Sequence, residues 1–349
     1  MNERIQITTL TDGGQQPQTI AQMVAAFIDG ATTTLDFAQY DFHLGDTTKA
    51  IVAGAIERAH ERGVRIRFAY NVDHPAPMPV PPPSEPDVEL IASLPVDGKA
   101  IAGIPDLMHH KYVVRDGRDV WTGSMNWTDD SWSRQENVIV VVPANPAIAK
   151  AYALDFQQLW ATGEVMKSGF VDPRHEDGLR AWFTPGHGED LSARISKLIR
   201  RARSRVRICS PVITTGPVLG TLAQVIADRA VDVAGCVDAT QIREVVQQWS
   251  VNQNINWKLP LLEYVMAGPF TGKNSTPYGA GTVHDFMHAK ICVCDNTTFV
   301  GSFNLSRSGE KNAENVLEIA DAEIADRLAA FVDEVRGKYG PVELEPPGR

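Results

Sequence analysis

Cysteine is scarce in this chain: four residues in 349, Cys209, Cys236, Cys292 and Cys294, all in the second half. Their spacing fits no zinc pattern, and Cys292 and Cys294 stand two apart on an expected strand. They read as small buried apolar residues in a reducing compartment. No apolar run is long enough to cross a bilayer. No apolar stretch follows the charges of MNERIQITTLTDGGQQ, so a cytoplasmic protein without a secretory signal is expected. A basic excess is missing too. The 33 Lys and Arg against 43 Asp and Glu leave a net charge of −10, which opposes wrapping of nucleic acid by the whole surface but leaves room for a local basic groove. The remaining composition, 43% hydrophobic and 22% charged, is that of an ordinary globular protein long enough for two or three domain-sized units.

What the chain does contain is one pattern written twice. An apolar-periodic helix, IAQMVAAFIDGA, leads into LDFAQYDF; LSARISKLIRRA leads into VRICSPVI, with Val206 standing 171 residues after Leu35. A second helix and strand follow in each half, AIVAGAIERAHERGVRIRFAYNVD and LGTLAQVIADRAVDVAGCVD. Then come an irregular stretch, a strand–turn–strand, and a closing helix, PAIAKAYALDFQQLW or AEIADRLAAFVDEV. Strands alternating with helices of this length predict an α/β fold: two similar α-β-α half-domains, each a mixed sheet flanked by helices. The halves are expected at residues 1–165 and 186–349, with 166–185 as linker. The proline-rich stretch 74–86 reads as an extended surface loop, and 267–287, rich in Gly, Ser and Thr, as a loop feeding His288.

The two hairpins, MHHKYVVRDGRDVWTGSMNW and MHAKICVCDNTTFVGSFNLS, repeat chemistry as well as shape. The first holds His109, Lys111, Asp116, Ser124 and Asn126 with Glu136 following; the second holds His288, Lys290, Asp295, Ser302 and Asn304 with Glu314 following. Residues two apart on a strand share a face, so each histidine is expected to project with its lysine. A turn at Asp116-Gly117 would return Ser124 opposite His109, with Asn126 next along the face. Each half thus offers a histidine surrounded by Lys, Ser and Asn donors, a set suited to an anionic phosphate. Ser124, Asn126, Ser302 and Asn304 are the expected phosphate-binding residues. Two halves facing each other about a pseudo-twofold axis would pair the histidines across one phosphate.

These residues resemble the phospholipase D superfamily, whose H-x-K-x4-D signature is met by His109/Lys111/Asp116 and by His288/Lys290/Asp295. The G-S-x-N element of that family is present twice, as Gly123-Ser124-Met125-Asn126 and Gly301-Ser302-Phe303-Asn304. The resemblance implies the phospholipase D-like fold with one shared active site, for which a monomer suffices. It implies a phosphodiesterase working through a phosphohistidine, with water or an alcohol as acceptor, and His109, His288, Lys111, Lys290, Glu136 and Glu314 as catalytic residues. His109 is expected to attack and His288 to do acid–base work. No metal or cofactor is expected, because lysines and asparagines can neutralise phosphate charge. Strand geometry speaks against Asp116 as the partner of His109. Seven residues at about 3.3 Å each put it some 20 Å away, at the hairpin tip, so Asp116 and Asp295 read as structural. Glu136 and Glu314, which follow the returning strands, are expected to support His109 and His288 respectively.

The second motif fixes the register of the first: His110 aligns with Ala289 and should point away from the site. His43, His74, His175 and His187 read as loop or surface residues, and so does His284, although its loop feeds the site. The substrate class is less legible. A basic cluster, Lys197, Arg200, Arg201, Arg203, Arg205 and Arg207, could form a nucleic-acid stripe but reads first as a solvated helix face. The acidic balance and the two-copy chain favour a phospholipid-type diester; a metal-independent nuclease acting on DNA or RNA is the alternative, and an inactive binding scaffold a third reading.

Overall fold

A computed structural model describes residues 4–76, 80, 86–279 and 281–344. Most of the proline-rich stretch 74–86 lies outside the described residues.

Two sheets of the same topology form the frame. In the first, the parallel strands Thr34–Gln39, Arg65–Val72 and Asp97–Ala102 are followed on the other side of Thr34–Gln39 by the antiparallel run Lys111–Arg115, Asp119–Gly123, Asn137–Val142 and Gln6–Leu10. In the second, Arg205–Cys209, Asp232–Asp238 and Phe270–Lys273 are parallel, and Ile291–Cys294, Thr297–Gly301, Asn315–Ala320 and Leu179–Phe183 run antiparallel beyond them. Two expectations are corrected here. The segment read as linker, 166–185, contains Leu179–Phe183, which pairs with Asn315–Ala320 and plays the part of Gln6–Leu10. The segment read as the loop 267–287 begins with the edge strand Phe270–Lys273. Both strands are short and lack a clear alternating pattern, so periodicity does not announce them.

Alternation within the longer strands sends side chains to two cores. Phe37, Phe68, Val113, Trp121 and Ile139 face outward onto the helices Pro17–Asp29 and Asp46–Glu61. Ala38, Ala69, Tyr112, Val114, Val138 and Val140 face inward, into one apolar layer shared with Ile291, Val293, Val300, Leu317 and Ile319 of the second sheet. The helices Pro146–Thr162 and Ala322–Gly337 lie in that layer. Each starts on the same device: the Asn145 side chain accepts from Ile148 N, and the Asp321 side chain from Ile324 N, satisfying first-turn amides. The helix Gly188–Arg201 shows why the outer layers form. It buries Leu191, Ile195 and Ile199 at four-residue spacing and leaves charges on the other face. The four cysteines are free and buried.

Candidate active site

The two histidines sit where the halves are stitched together. His109 N donates to Ala313 O at 2.9 Å, and His288 N donates to Glu136 O at 3.2 Å. Single parallel bridges, Met108 with Ala313 and Glu136 with Met287, extend the contact. Each histidine therefore takes its backbone position from the opposite half. Both are nearly buried and line one narrow cleft together with Tyr40, Asn126, His284 and Asn304.

The lysines follow their histidines closely. Lys111 Nζ donates to His109 O at 2.9 Å and lies 4.8 Å from the Tyr40 ring, while Lys290 Nζ donates to His288 O at 2.7 Å. Burial lowers Lys111 to about 7 against the pull of Glu314 and Asp41, and burial with Lys111 nearby lowers Lys290 well below its ordinary value. Burial, then Lys111, Lys290 and His288, holds His109 well below 6.5; burial, Lys290 and Lys111 do the same to His288. Burial thus disfavours charge on all four groups, and an anion bound among them would draw each back towards its charged form.

The carboxylates are arranged differently from the expectation. Glu314, expected on His288, reaches across the interface to His109, with Oε2 2.7 Å from Nδ1. Ser302 Oγ donates to the same Oε2 at 2.6 Å and Asn312 Nδ2 to Oε1 at 3.3 Å. Burial pushes the Glu314 carboxyl up to about 8 against Lys111, Ser302 and Asn312. Ser302 and Asn312 both donate to the carboxyl, and a hydrogen on His109 Nδ1 would complete that set and leave Nε2 bare.

Glu136, expected on His109, contacts neither histidine ring. It is fully buried, and its Oε2 is 3.0 Å from Lys273 Nζ, while its Oε1 accepts from Tyr339 OH. Lys273 is also 3.1 Å from Asp12 Oδ2. The cause is a slip of one residue. Gly123 pairs with Ile139, whereas Gly301 pairs with Val316; Val138 N donates to Ser124 Oγ at 2.9 Å, whereas Asn315 N donates to Ser302 Oγ at 3.0 Å. By register, Asn137 and not Glu136 is the counterpart of Glu314. Asn137 Oδ1 lies 3.2 Å from His288 Nδ1. The extra residue falls between the short helix Asp129–Ser133 and the strand, and the repeated Glu-Asn-Val masks it.

Ser124 and Ser302 are corrected as well. Ser124 Oγ donates to Asn137 Oδ1 at 2.7 Å and Ser302 Oγ to Glu314. Each hydroxyl hydrogen is committed to the group behind a histidine, so neither serine is free to donate to a phosphate. The first hairpin loop holds three residues, Asp116 to Arg118, against two in the second, so Ser124 faces His110 rather than His109. The preceding glycines permit the close strand approach: a Cβ on Gly123, whose φ is +146°, would lie 2.1 Å from Val138 O. Asn126 and Asn304 do line the cleft, and among the described residues their Oδ1 atoms are buried without a partner. His110 points away from the cleft, with Nε2 3.0 Å from Asp155 Oδ2.

Asp116 and Asp295 stay at the hairpin tips. Asp116 accepts from Thr32 N, Thr33 N and Thr34 N at 2.7–2.9 Å, and Asp295 from Arg203 N, Ser204 N and Arg205 N at 2.9–3.1 Å. Although burial alone would raise them, these backbone amides and the Thr33 and Ser204 hydroxyls hold both carboxyls at about 2. Because the folded value is depressed, their contribution to stability is present above about pH 4 and is lost as pH falls through about 2. Asp116→Asn and Asp295→Asn should each cost about 1–2 kcal/mol in urea denaturation, with the difference from wild type shrinking towards pH 2. A loss of turnover in a variant of unchanged stability would contradict this structural role.

The residues missed at the sequence level are those that neighbour the motifs in space only. Tyr40, just past the strand Thr34–Gln39, places its ring centroid 4.5 Å from that of His109. His284, read as a bland loop histidine, lines the cleft with its ring between Tyr278 and Phe286, at centroid distances of 4.8 and 5.6 Å. Asn137 carried no signal at all, because equal spacing pointed to Glu136.

Two sheets of one topology share a cleft, and each contributes one histidine to it, backed by the lysine two residues on. The profile of the family described as "Cardiolipin synthase, PLD-like domain" matches residues 24–160 and 195–336, and the chain belongs to this family of the phospholipase D superfamily. Curated relatives include the mitochondrial cardiolipin hydrolases of Xenopus laevis, 31% identical over 132 residues (38% of this chain, 56% of the relative), and of Homo sapiens, 26% identical over 137 residues (36% and 46%). The chain thus spans about half the length of these relatives. Among solved structures, phosphatidylserine synthase from Haemophilus influenzae superposes with a TM-score of 0.64 at 13% identity, covering 96% of this chain and 86% of that one. Polyphosphate kinase from Porphyromonas gingivalis gives 0.57 at 12% identity, covering 99% and 53%. Both support the fold.

Proposed function

We propose that the protein is a phosphodiester hydrolase or phosphatidyltransferase of phospholipase D type, acting on a phospholipid-type diester. The observation that carries this reading is the shared cleft, where His109 and His288 meet two buried lysines and Glu314 backs His109 across the interface. In the first step a lone pair on His109 Nε2 bonds to phosphorus. The bond to the leaving oxygen breaks, and that oxygen takes the Nε2 proton of His288. In the second step a water or alcohol gives its proton to His288 as its oxygen bonds to phosphorus. The P–N bond breaks and its electrons return to His109. Lys111, Lys290, Asn126 and Asn304 are the groups proposed to hold the phosphate.

A lipid is favoured over a nucleic acid because the Arg203–Arg207 end of the basic cluster lies away from the cleft. Arg203 and Arg205 surround Asp295 at the hairpin tip, roughly 20 Å along the strand from His288. Arg207 is tied up by Asp232 and Asp333 at 2.5 and 2.8 Å. No described helix is long and apolar enough to cross a membrane; the site would meet lipid at a surface or as a dispersed molecule. The names of the relatives above point the same way. A parallel screen on phosphatidyl lipids, single- and double-stranded DNA, and RNA tests this, and turnover confined to nucleic acid would overturn it.

Activity should survive excess EDTA undiminished, because the lysines supply the cationic charge. Loss on chelation with recovery on added Mg²⁺ or Zn²⁺ would refute this. Added ethanol or glycerol should divert part of the product into a transfer product, read by mass spectrometry, since an alcohol can open the phosphohistidine as water does. Strict hydrolysis with inversion at phosphorus would instead indicate direct attack by water.

A further inference from the structure

Around the two histidines the lysine, serine and cleft-asparagine positions correspond, but the groups on the Nδ1 atoms do not. His109 has the Glu314 carboxylate at 2.7 Å; His288 has the Asn137 amide at 3.2 Å. The orientation of that amide is fixed by its surroundings. Asn137 Nδ2 donates towards Ser131 O, Ser131 Oγ and Gln135 Oε1 at 3.1, 3.1 and 3.2 Å, and Oδ1 accepts from Ser124 Oγ at 2.7 Å. Oxygen therefore faces His288, and an amide oxygen only accepts. His288 Nδ1 must carry a hydrogen, which leaves Nε2 as the atom that gains and loses protons.

We propose that Asn137 is the positioning residue of His288, and that an amide standing where the other half has a carboxylate fits His288 for carrying protons while His109 bonds to phosphorus. The proposal rests on the two-histidine displacement described above and supplies a structural reason for its direction. A phosphohistidine is cationic while its Nδ1 keeps a hydrogen. On His109 that charge forms 2.7 Å from a carboxylate oxygen; on His288 it would meet only neutral dipoles, the Asn137 amide and the Ser124 backbone carbonyl. The charged groups facing His288 are Lys290 from its own hairpin and Lys111 from the facing one, with His109 beside them. All are cationic or can become so, and among the described residues no carboxylate is hydrogen-bonded to the ring. A protonated His288 is thus a poorly stabilised cation that gives up its proton readily, which suits an acid that must return as a base.

The test compares the full-length wild type with Asn137→Asp, Asn137→Ala and Glu136→Gln. The His288 ring is titrated by ¹⁵N NMR, with its resonances identified by their loss in His288→Gln, and pH profiles of kcat/KM are measured on bis(p-nitrophenyl) phosphate. Asn137→Asp should raise the His288 midpoint by about one pH unit, as an opposite charge at this distance does. The alkaline limb of kcat/KM should move up with it, because the first step needs protonated His288. Asn137→Ala should lose the Nδ1–H tautomer in the NMR spectrum, and Glu136→Gln should leave the His288 titration unchanged. An unmoved His288 midpoint in Asn137→Asp, or a midpoint that responds to Glu136→Gln, would overturn the positioning role. Movement of the acid limb instead would reverse the division of roles. Should Asn137→Asp not fold, the tautomer in Asn137→Ala decides: an unchanged Nδ1–H overturns the proposal. Failure of the displacement itself is distinguishable, since it would show as wild-type turnover that survives His109→Ala while the NMR titrations still report on Asn137.

Discussion

Replacing His109 or His288 by alanine should lower turnover of bis(p-nitrophenyl) phosphate by about 10³- to 10⁵-fold, and the double variant should be little worse than either single one. Each half contributes one histidine to the same cleft, and each histidine is held by the backbone of the other half. In the proposed displacement, bond formation at one Nε2 and protonation of the leaving oxygen from the other belong to a single transition state, so removing either group removes the step. Two independent sites would give something different: each single variant would keep about half the wild-type rate, and only the double variant would be inactive. Near-wild-type turnover in either single variant would therefore overturn the shared site.

Glu314→Gln should lower turnover by about 10²- to 10⁴-fold, a loss of the size seen when the carboxylate of a catalytic triad becomes an amide, while Glu136→Gln should keep most of it. This reverses the equal importance that the repeated Glu-Asn-Val implies. Glu314 Oε2 is the acceptor for His109 Nδ1. An amide there presents the wrong hydrogen-bonding group to Nδ1 and offers no charge to balance the proposed phosphohistidine. Glu136 instead joins Lys273 of the second half to the first, with Tyr339 and the Asp12 amide on its other oxygen. Glu136→Gln leaves Lys273 nearly buried with only Asp12 as a charged partner, so its effect should be a stability loss of about 2 kcal/mol in denaturant titrations. An inactive, fully stable Glu136→Gln beside an active Glu314→Gln would overturn the assignment.

The pairing of carboxylates with histidines marks the limit of what the chain discloses by itself. The paired His109/Lys111 and His288/Lys290, the asparagines that follow, and the duplicated helix–strand order are local patterns. They were legible because strand and helix periodicities act over a few residues. That Asp116 and Asp295 stay at hairpin tips also followed from strand length alone. Which residue stands behind each histidine did not. It depends on strand registers in two different sheets, and a one-residue difference there exchanges one side chain for its neighbour. Equal sequence spacing from Ser124 to Glu136 and from Ser302 to Glu314 conceals that difference, because the extra residue in the first half is taken up between a short helix and a strand. The crossing of Glu314 to His109 is likewise a property of the interface: it exists only once both inner sheet faces have closed on their common apolar layer. Sequence determined the kind of site and its paired histidines, lysines and asparagines. Tertiary structure decided which of them touch, because register and interface are long-range consequences of packing, invisible to any local pattern.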